Sequence, residues 1–325
     1  MIGNRRREPR KAGAGPRRLG PYTGQWVGIA ANAGSGRGVG RRAVESFATR
    51  LEGYRIGCRI AWTPADRVAM VADAAADASC RCLVAAGGDG TVSALINERP
   101  GVPIAVLPAG TENLFARHFR FDGQPELLAR AIAEGSVSSL DLGTAGQRRF
   151  SLMAGVGFDA DVVTRHHAAR LARTGRARPT HRAAYVEPVL RSSFSYRFPS
   201  LTVRIDDPGA EETIEGTTVF MFNLPRYAMG LPFAPSARGD DGRLDLVVFR
   251  EPGPFRALHY LWLVLLGRHL RRDDVQHRRV RSATVECGEA VPFQLDGDPG
   301  GLVDPAAGGG LSVGILPGEV EVIVP

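Results

Sequence analysis

The chain is 325 residues long, 44% hydrophobic and 23% charged, with a formal net charge of +7. That is enough for two domains of ordinary size, and the balance is that of a soluble globular protein, not a disordered or fibrous one. The longest apolar run, Leu261 to Leu266, is far too short to cross a bilayer.

Lys11 is the only lysine, so nearly all the basicity is arginine, which suits bidentate contact with phosphate. A biased codon usage would give the same excess. Cys58, Cys80, Cys82 and Cys287 form no C-x-x-C pair, and no His pair lies at zinc spacing. They read as reduced core thiols, which points to a cytoplasmic protein. Residues 1–22 hold Arg5, Arg6, Arg7, Arg10, Lys11, Arg17 and Arg18 among Gly and Pro. This stretch lacks the apolar core of a signal peptide and reads as a disordered basic tail.

Trp26 to Ala31 is an apolar run of strand length that ends in Asn32-Ala33-Gly34-Ser35-Gly36. No Gly-Lys-Ser/Thr follows, so this is not a Walker loop, and the glycines fall on alternate residues, not as G-x-G-x-x-G. Val39 to Leu51 predicts a helix, Tyr54 to Trp62 a strand ending at Thr63, and Pro64 to Ala78 a helix opened by its proline. Cys82 to Ala86 is a buried strand running into Gly87-Gly88-Asp89-Gly90-Thr91, with a helix to Asn97 behind it. Strand, glycine turn and helix start make an anion site, because glycines admit backbone N–H groups to a phosphate and the helix N-terminus adds partial positive charge. An ordinary tight turn with an N-capping Thr91 fits the same five residues. Asp89 cannot itself hold phosphate. It reads as a group acting through Mg²⁺ or on the loop and ribose, placed in a turn where it supports no core.

Pro103 to Leu107 is a further strand, followed by Gly110-Thr111-Glu112-Asn113 and helices at Leu114 to His118 and Gln124 to Glu134. Repeated strand–turn–helix units predict a parallel sheet whose ligand lies at the carboxyl ends of its strands. Thr63 and all three glycine turns fall on that one edge. From Leu140 the pattern changes to alternating strands broken by Gly and Pro, which predicts an antiparallel sheet or sandwich. Two stretches interrupt it. Val162 to Val186 carries six arginines and no acid, and Phe255 to Leu270 is an apolar helix read as core, with partial membrane insertion as the lesser reading.

In order and spacing, Asn32 to Gly36, Gly87 to Thr91 and Leu107 to Asn113 resemble the diacylglycerol kinase catalytic domain family. The likeness is to its bacterial lipid-kinase branch, which sphingosine and ceramide kinases also resemble. Gly157-Phe158-Asp159-Ala160, Asn223, Asp241-Gly242 and Asp296-Gly297-Asp298 extend the resemblance over roughly Trp26 to Pro325. It implies an α/β plus β fold: an NAD-kinase-like parallel-sheet ATP-binding domain (24–143, with about 312–325 returning) and an antiparallel β-sandwich-like lipid-substrate domain (144–311).

The implied activity is an ATP- and Mg²⁺-dependent lipid kinase working at the membrane surface, with peripheral contact to anionic lipid and no nucleic-acid partner. Gly87, Gly88, Gly90 and Thr91 then cradle the phosphates with Asp89 on metal or nucleotide. Asn32, Ser35, Gly36, Thr63, Gly110, Thr111 and Asn113 complete the nucleotide edge. Asp296, at the end of a strand, is expected to be the general base, with Asp298 orienting it or sharing the metal. Asp241, with Asp240 beside it, fits a structural Mg²⁺ ligand or a plain Asp-Gly turn equally well. Many bacterial members carry Asp where this chain has Leu114, and the common Asp-Gly-Glu is here Asp-Gly-Asp. Both departures bear on metal use. A kinase of a soluble metabolite such as NAD, and a catalytically weak nucleotide- or lipid-binding protein, are the competing functions.

Overall fold

The structure is a computed structural model that describes residues 15–20, 25–31, 39–121, 123–174, 186–207 and 210–324. Asn32, Ser35 and Gly36 therefore lie outside the described residues, as do 1–14 of the basic tail. Within the stretch expected to be disordered, Arg17–Arg18 forms a short strand (β1) pairing with Ser136 and Val137, and Arg17 also binds Glu321 at 3.2 Å.

The first half alternates strands and helices. In order come β2 (Trp26–Ala31), α1 (Val39–Gly53), β3 (Gly57–Ala61), α2 (Pro64–Ala76), β4 (Cys80–Gly87), α3 (Asp89–Asn97), β5 (Ile104–Pro108), α4 (Leu114–His118) and α5 (Pro125–Glu134). Strands β3, β2, β4 and β5 lie side by side and parallel. β2 and β4 are buried along their whole length, which is why they read as unbroken apolar runs.

The second half contains β6 (Ser136–Ala145), β7 (Arg148–Phe150), β8 (Met153–Gly157), α6 (Phe158–Thr174), α7 (Val186–Ser195), β9 (Leu201–Asp207), β10 (Ala210–Gly216), β11 (Thr218–Phe222) and β12 (Leu244–Phe249). Then follow α8 (Pro254–Leu265), a short 3₁₀ turn, β13 (Val275–Val280), β14 (Ser282–Cys287), β15 (Val291–Leu295), β16 (Asp298–Val303) and β17 (Leu311–Val324). Strands β13, β12, β11, β8, β15 and β16 make an antiparallel sheet.

β17 joins the halves. Its last residues extend the parallel sheet, with Val322 beside Ile104, while its first residues pair antiparallel with β14. The strand kinks between Leu316 and Val320, and Gly318 N–H donates to Asp141 Oδ1 at 2.7 Å. The other Asp141 oxygen accepts from Gly242 N–H at 2.6 Å, so one buried carboxylate pins the kink to the turn before β12.

Side-chain alternation gives β11 two buried faces. Val219 and Met221 join Val203 and Val285 in the sandwich core, whereas Phe220 and Phe222 point the other way into the larger core. That second face, together with α8, builds the wall of the cleft described next.

Candidate active site

Three backbone turns meet at the carboxyl edge of the parallel strands. Gly88 caps α3 in extended conformation with no side-chain cap, and Thr91 N–H donates to Gly88 O at 2.9 Å. Ala109 N–H donates to Gly87 O at 2.9 Å, tying the end of β5 to the end of β4. Gly88 and Gly110 then touch through their backbones; a Cβ on Gly110 would lie 2.5 Å from Gly88 Cα. A Cβ on Gly87 would collide with the Thr91 side chain. Asn113 closes the third turn from a left-handed conformation, φ 51°. Its Oδ1 accepts from Gly110 N–H at 2.9 Å and its Nδ2 donates to Gly110 O at 3.0 Å. Thr63 caps α2 by accepting from Asp66 N–H at 3.1 Å, and it lines the same cleft as Thr111.

Asp89 departs from expectation. Its Oδ2 accepts from Leu114 N–H at 3.0 Å and its Oδ1 from Phe115 N–H at 2.9 Å, so it caps α4. Burial raises its pKa, against those two bonds, and the negative Glu112 adds to the rise. The carboxylate expected to act through metal or on the loop and ribose thus holds helix N–H groups while it lines the cleft. It supports structure after all. Leu114 is 8% exposed and packs in the cleft wall, where its methyls stand at the position the resemblance marked for an acid.

Asp296 and Gly297 are the two turn residues of the β15–β16 hairpin, at φ 53° and 87°, with Leu295 opposite Asp298. The acids do not simply face water. Asp296 Oδ2 accepts from Ser151 N–H at 2.8 Å and Ser151 Oγ–H at 3.0 Å. Its Oδ1 accepts from Leu152 N–H at 2.8 Å and Met153 N–H at 3.0 Å. Burial pushes its pKa up to about 6 in spite of these donors. A carboxylate offers about four lone-pair sites, and all are engaged. Asp296, expected as general base, lines the cleft and through these bonds also anchors residues 151–153. Asn223 holds that loop from behind, donating to Ser151 O at 2.9 Å. Asp298, two residues on, is the carboxylate that reaches the glycine loop. Its Oδ2 lies 3.5 Å from where a Cβ on Gly90 would sit.

Asp241 and Asp240 stand away from this cleft. Asp241 is engaged by the Arg279 guanidinium and by Arg243 N–H at 3.1 Å, and Asp240 pairs with Arg238 at 3.5 Å. Among the described residues no three His, Cys, Asp or Glu side chains gather to hold a metal. Of the two readings held open for this Asp-Gly turn, structural Mg²⁺ ligand or plain turn, the Arg279 and Arg243 contacts of Asp241 suit the plain turn.

Gln294 and Tyr227 belong to none of the motifs read from the sequence, yet both sit at the site. Gln294 Nε2 donates to Asp159 Oδ2 at 2.9 Å, and Tyr227 O–H donates to the same oxygen at 3.3 Å. Gln294 Oε1 accepts from Gly297 N–H at 2.8 Å, which links Asp159 to the Asp296–Asp298 turn. Burial pushes Asp159 up to about 6. A lone Gln inside a buried strand was the available signal.

Thr63, Gly88, Asp89, Gly110, Asp159, Tyr227, Asp296 and Asp298 border one cavity of about 530 Å³. Gly88, Gly110 and Asp298 line one end. Phe198, Phe220, Phe249 and Val264 line the other.

Comparison with known proteins finds two families, one in each half. Residues 27–145 match the diacylglycerol kinase catalytic domain, and residues 153–324 match the YegS C-terminal NAD kinase beta sandwich-like domain, which alone spans more than half of the chain. The chain is 29% identical over 221 residues to a diacylglycerol kinase of Mycobacterium tuberculosis, covering 65% of this chain and 68% of that protein. It is 29% identical over 282 residues to a probable lipid kinase YegS-like of Pseudomonas aeruginosa, covering 86% and 87%. A crystal structure of a putative diacylglycerol kinase from Bacillus anthracis str. Sterne superposes with a TM-score of 0.73, covering 94% of this chain and 97% of that one. At 19% identity that likeness is one of fold.

Proposed function

The chain belongs to the diacylglycerol kinase catalytic domain family and is a lipid kinase, a phosphotransferase acting on a hydroxyl group, and from this premise we propose that it moves the γ-phosphate of ATP to a hydroxyl of a diacylglycerol-like lipid. The observation that carries this reading is the single cavity whose one end is glycine loop and carboxylate and whose other end is aromatic and aliphatic. A soluble, polar acceptor would leave that apolar end without a function, whereas an acyl chain fills it.

In this reading the first N–H groups of α3 and the Gly88–Gly110 contact seat the triphosphate. The donor set suits Mg²⁺, since Glu112 and Asp298 offer hard carboxylate oxygens in the wall of the phosphate end. When bound, the ion neutralises charge on the phosphates. Asp298 accepts the proton of the acceptor hydroxyl as its oxygen forms the new bond to the γ-phosphorus. The bond from that phosphorus to the β,γ-bridging oxygen breaks, and ADP leaves with the electron pair. Asp296 keeps the hairpin turn in place and takes no proton from substrate. The apolar walls exclude water, which would otherwise compete as acceptor.

The test is an assay with labelled ATP, with and without Mg²⁺, in detergent micelles carrying diacylglycerol, monoacylglycerol, phosphatidylglycerol or a sphingoid base, with NAD as a soluble acceptor. Mg²⁺-dependent label in a lipid product supports the proposal. Label in NAD with none in lipid overturns it.

A further inference from the structure

Helix α8 is apolar on both sides, and only one side is covered. Ala257, Tyr260, Leu261 and Val264 recur at helical spacing and line the cleft. The opposite stripe faces solvent, with Phe255 77%, Trp262 55% and Leu265 56% exposed. The neighbouring α7 continues it through Leu190 and Phe194, one turn apart and both exposed. Phe194 stands edge-on to Phe255 with ring centroids 6.2 Å apart, so the two helices share one apolar ridge. Single exposed apolar residues are ordinary, but a contiguous ridge of them marks a contact surface.

Two further observations identify what it contacts. The ridge is continuous with the apolar end of the cleft, because Val189 of α7 and Leu261 of α8 line the cavity from the same helices. It is also flanked by cations. Arg191, Arg268 and Arg271 are exposed and form no ion pair among the described residues. Nearby Asp274 is already bound by Arg272 at 3.0 Å and faces Arg256 at 3.8 Å, although Glu187, Glu251 and Asp273 remain exposed.

We propose that the α7–α8 ridge is the surface on which the enzyme docks to an anionic bilayer, with Phe255 and Trp262 entering the headgroup–acyl boundary and the arginines meeting the lipid charge. This rests on the lipid-kinase reading, because it makes the cleft mouth the point where acceptor leaves the bilayer. A second copy of the chain is the less favoured occupant. An isologous pairing would bring the same arginines against one another.

The experiment is flotation of the full chain with phosphatidylglycerol–phosphatidylcholine vesicles and with phosphatidylcholine alone, for wild type and Phe255→Ser/Trp262→Ser. Turnover of a short-chain acceptor dispersed in detergent is measured in parallel. The expected result is binding favouring the anionic vesicles, about tenfold weaker in the double variant, with detergent turnover unchanged. Quenching of wild-type tryptophan fluorescence by brominated acyl chains, lost in Trp262→Phe, supports insertion of that residue. Undiminished vesicle binding by the double variant overturns the proposal, as does a concentration-dependent wild-type dimer that the variant loses while neither binds vesicles. Vesicle binding without lipid turnover leaves the docking proposal standing and removes the kinase reading; detergent turnover without vesicle binding does the reverse.

Discussion

Gly88 and Gly110 meet backbone to backbone, although 21 residues and a whole strand–helix unit separate them in sequence. The contact sets the width of the phosphate end of the cleft. An added methyl on Gly110 would come within 2.5 Å of Gly88 Cα and 2.8 Å of Asn113 Oδ1, against backbone and a side chain already bonded twice. Gly110→Ala should therefore push the two turns apart. We expect nucleotide affinity to fall at least about tenfold while the thermal midpoint moves little, since the change lies at an exposed edge. Titration with a fluorescent ATP analogue checks this. Wild-type affinity in Gly110→Ala would mean that the turns have room to move.

Asp89 and Leu114 yield the next expectation. Asp89→Ala removes the cap from α4 and should cost about 1–2 kcal/mol of stability besides reducing turnover. Leu114→Asp puts a second carboxylate into the buried cleft wall beside the half-buried Asp89 and should destabilise by about 2–4 kcal/mol. Urea unfolding of both variants, with and without Mg²⁺, reads these effects. A stable Leu114→Asp protein with sharpened Mg²⁺ dependence would show that the packing account of Leu114 is wrong.

The nucleotide half was legible because its strands are buried on both faces and its turns are glycine-rich. β2, β4 and α4 fall where the apolar runs and the loop ends put them. The other half was harder to read. β13, Val275–Val280, is apolar only at its ends, and β10, Ala210–Gly216, is a largely acidic edge strand. β17 carries Pro317 and Gly318 inside one strand, so it reads as two pieces. At the site, nothing local to Asp296 announces the donors of Ser151, and nothing local to Asp241 announces Arg279. For α8 the core reading outweighed partial membrane insertion because an all-apolar helix normally signals core, whereas here one side of it is exposed.

Asp159 supplies a pH signature. Its carboxyl is held up to about 6 by burial, while an unfolded chain ionises it near its ordinary value of about 3.9. Between those values the folded state binds more protons, so stability is fully present below about pH 4 and is lost as pH rises through about 6. Asp159→Asn keeps an oxygen acceptor for Gln294 and Tyr227 and removes the titration. The variant should be more stable than wild type by on the order of 2 kcal/mol at pH 7.5 and equal to it near pH 4. Asp296 shares the same window, so the variant keeps part of the wild-type slope. Urea unfolding at the two pH values is the measurement, and an equal difference at both would rule out Asp159 as the source.

The two carboxylates of the β15–β16 turn should separate cleanly into stability and catalysis. Asp296 accepts four hydrogen bonds from residues 151–153. Asp296→Asn would aim an N–H₂ at two of those donors, leaving them and itself unsatisfied in a buried place. It should lose about 3 kcal/mol of stability, and any fall in turnover should track the fraction folded. Asp298 instead lies beside the glycine loop with an oxygen near Gly90. Asp298→Asn should keep wild-type stability and nucleotide affinity and lose about two to four orders of magnitude in kcat. Urea unfolding, ATP titration and kcat on both proteins decide the matter. A stable, ATP-binding, inactive Asp296→Asn beside an active Asp298→Asn would return the base to Asp296, and with it the conclusion that the four donors let go when substrate binds.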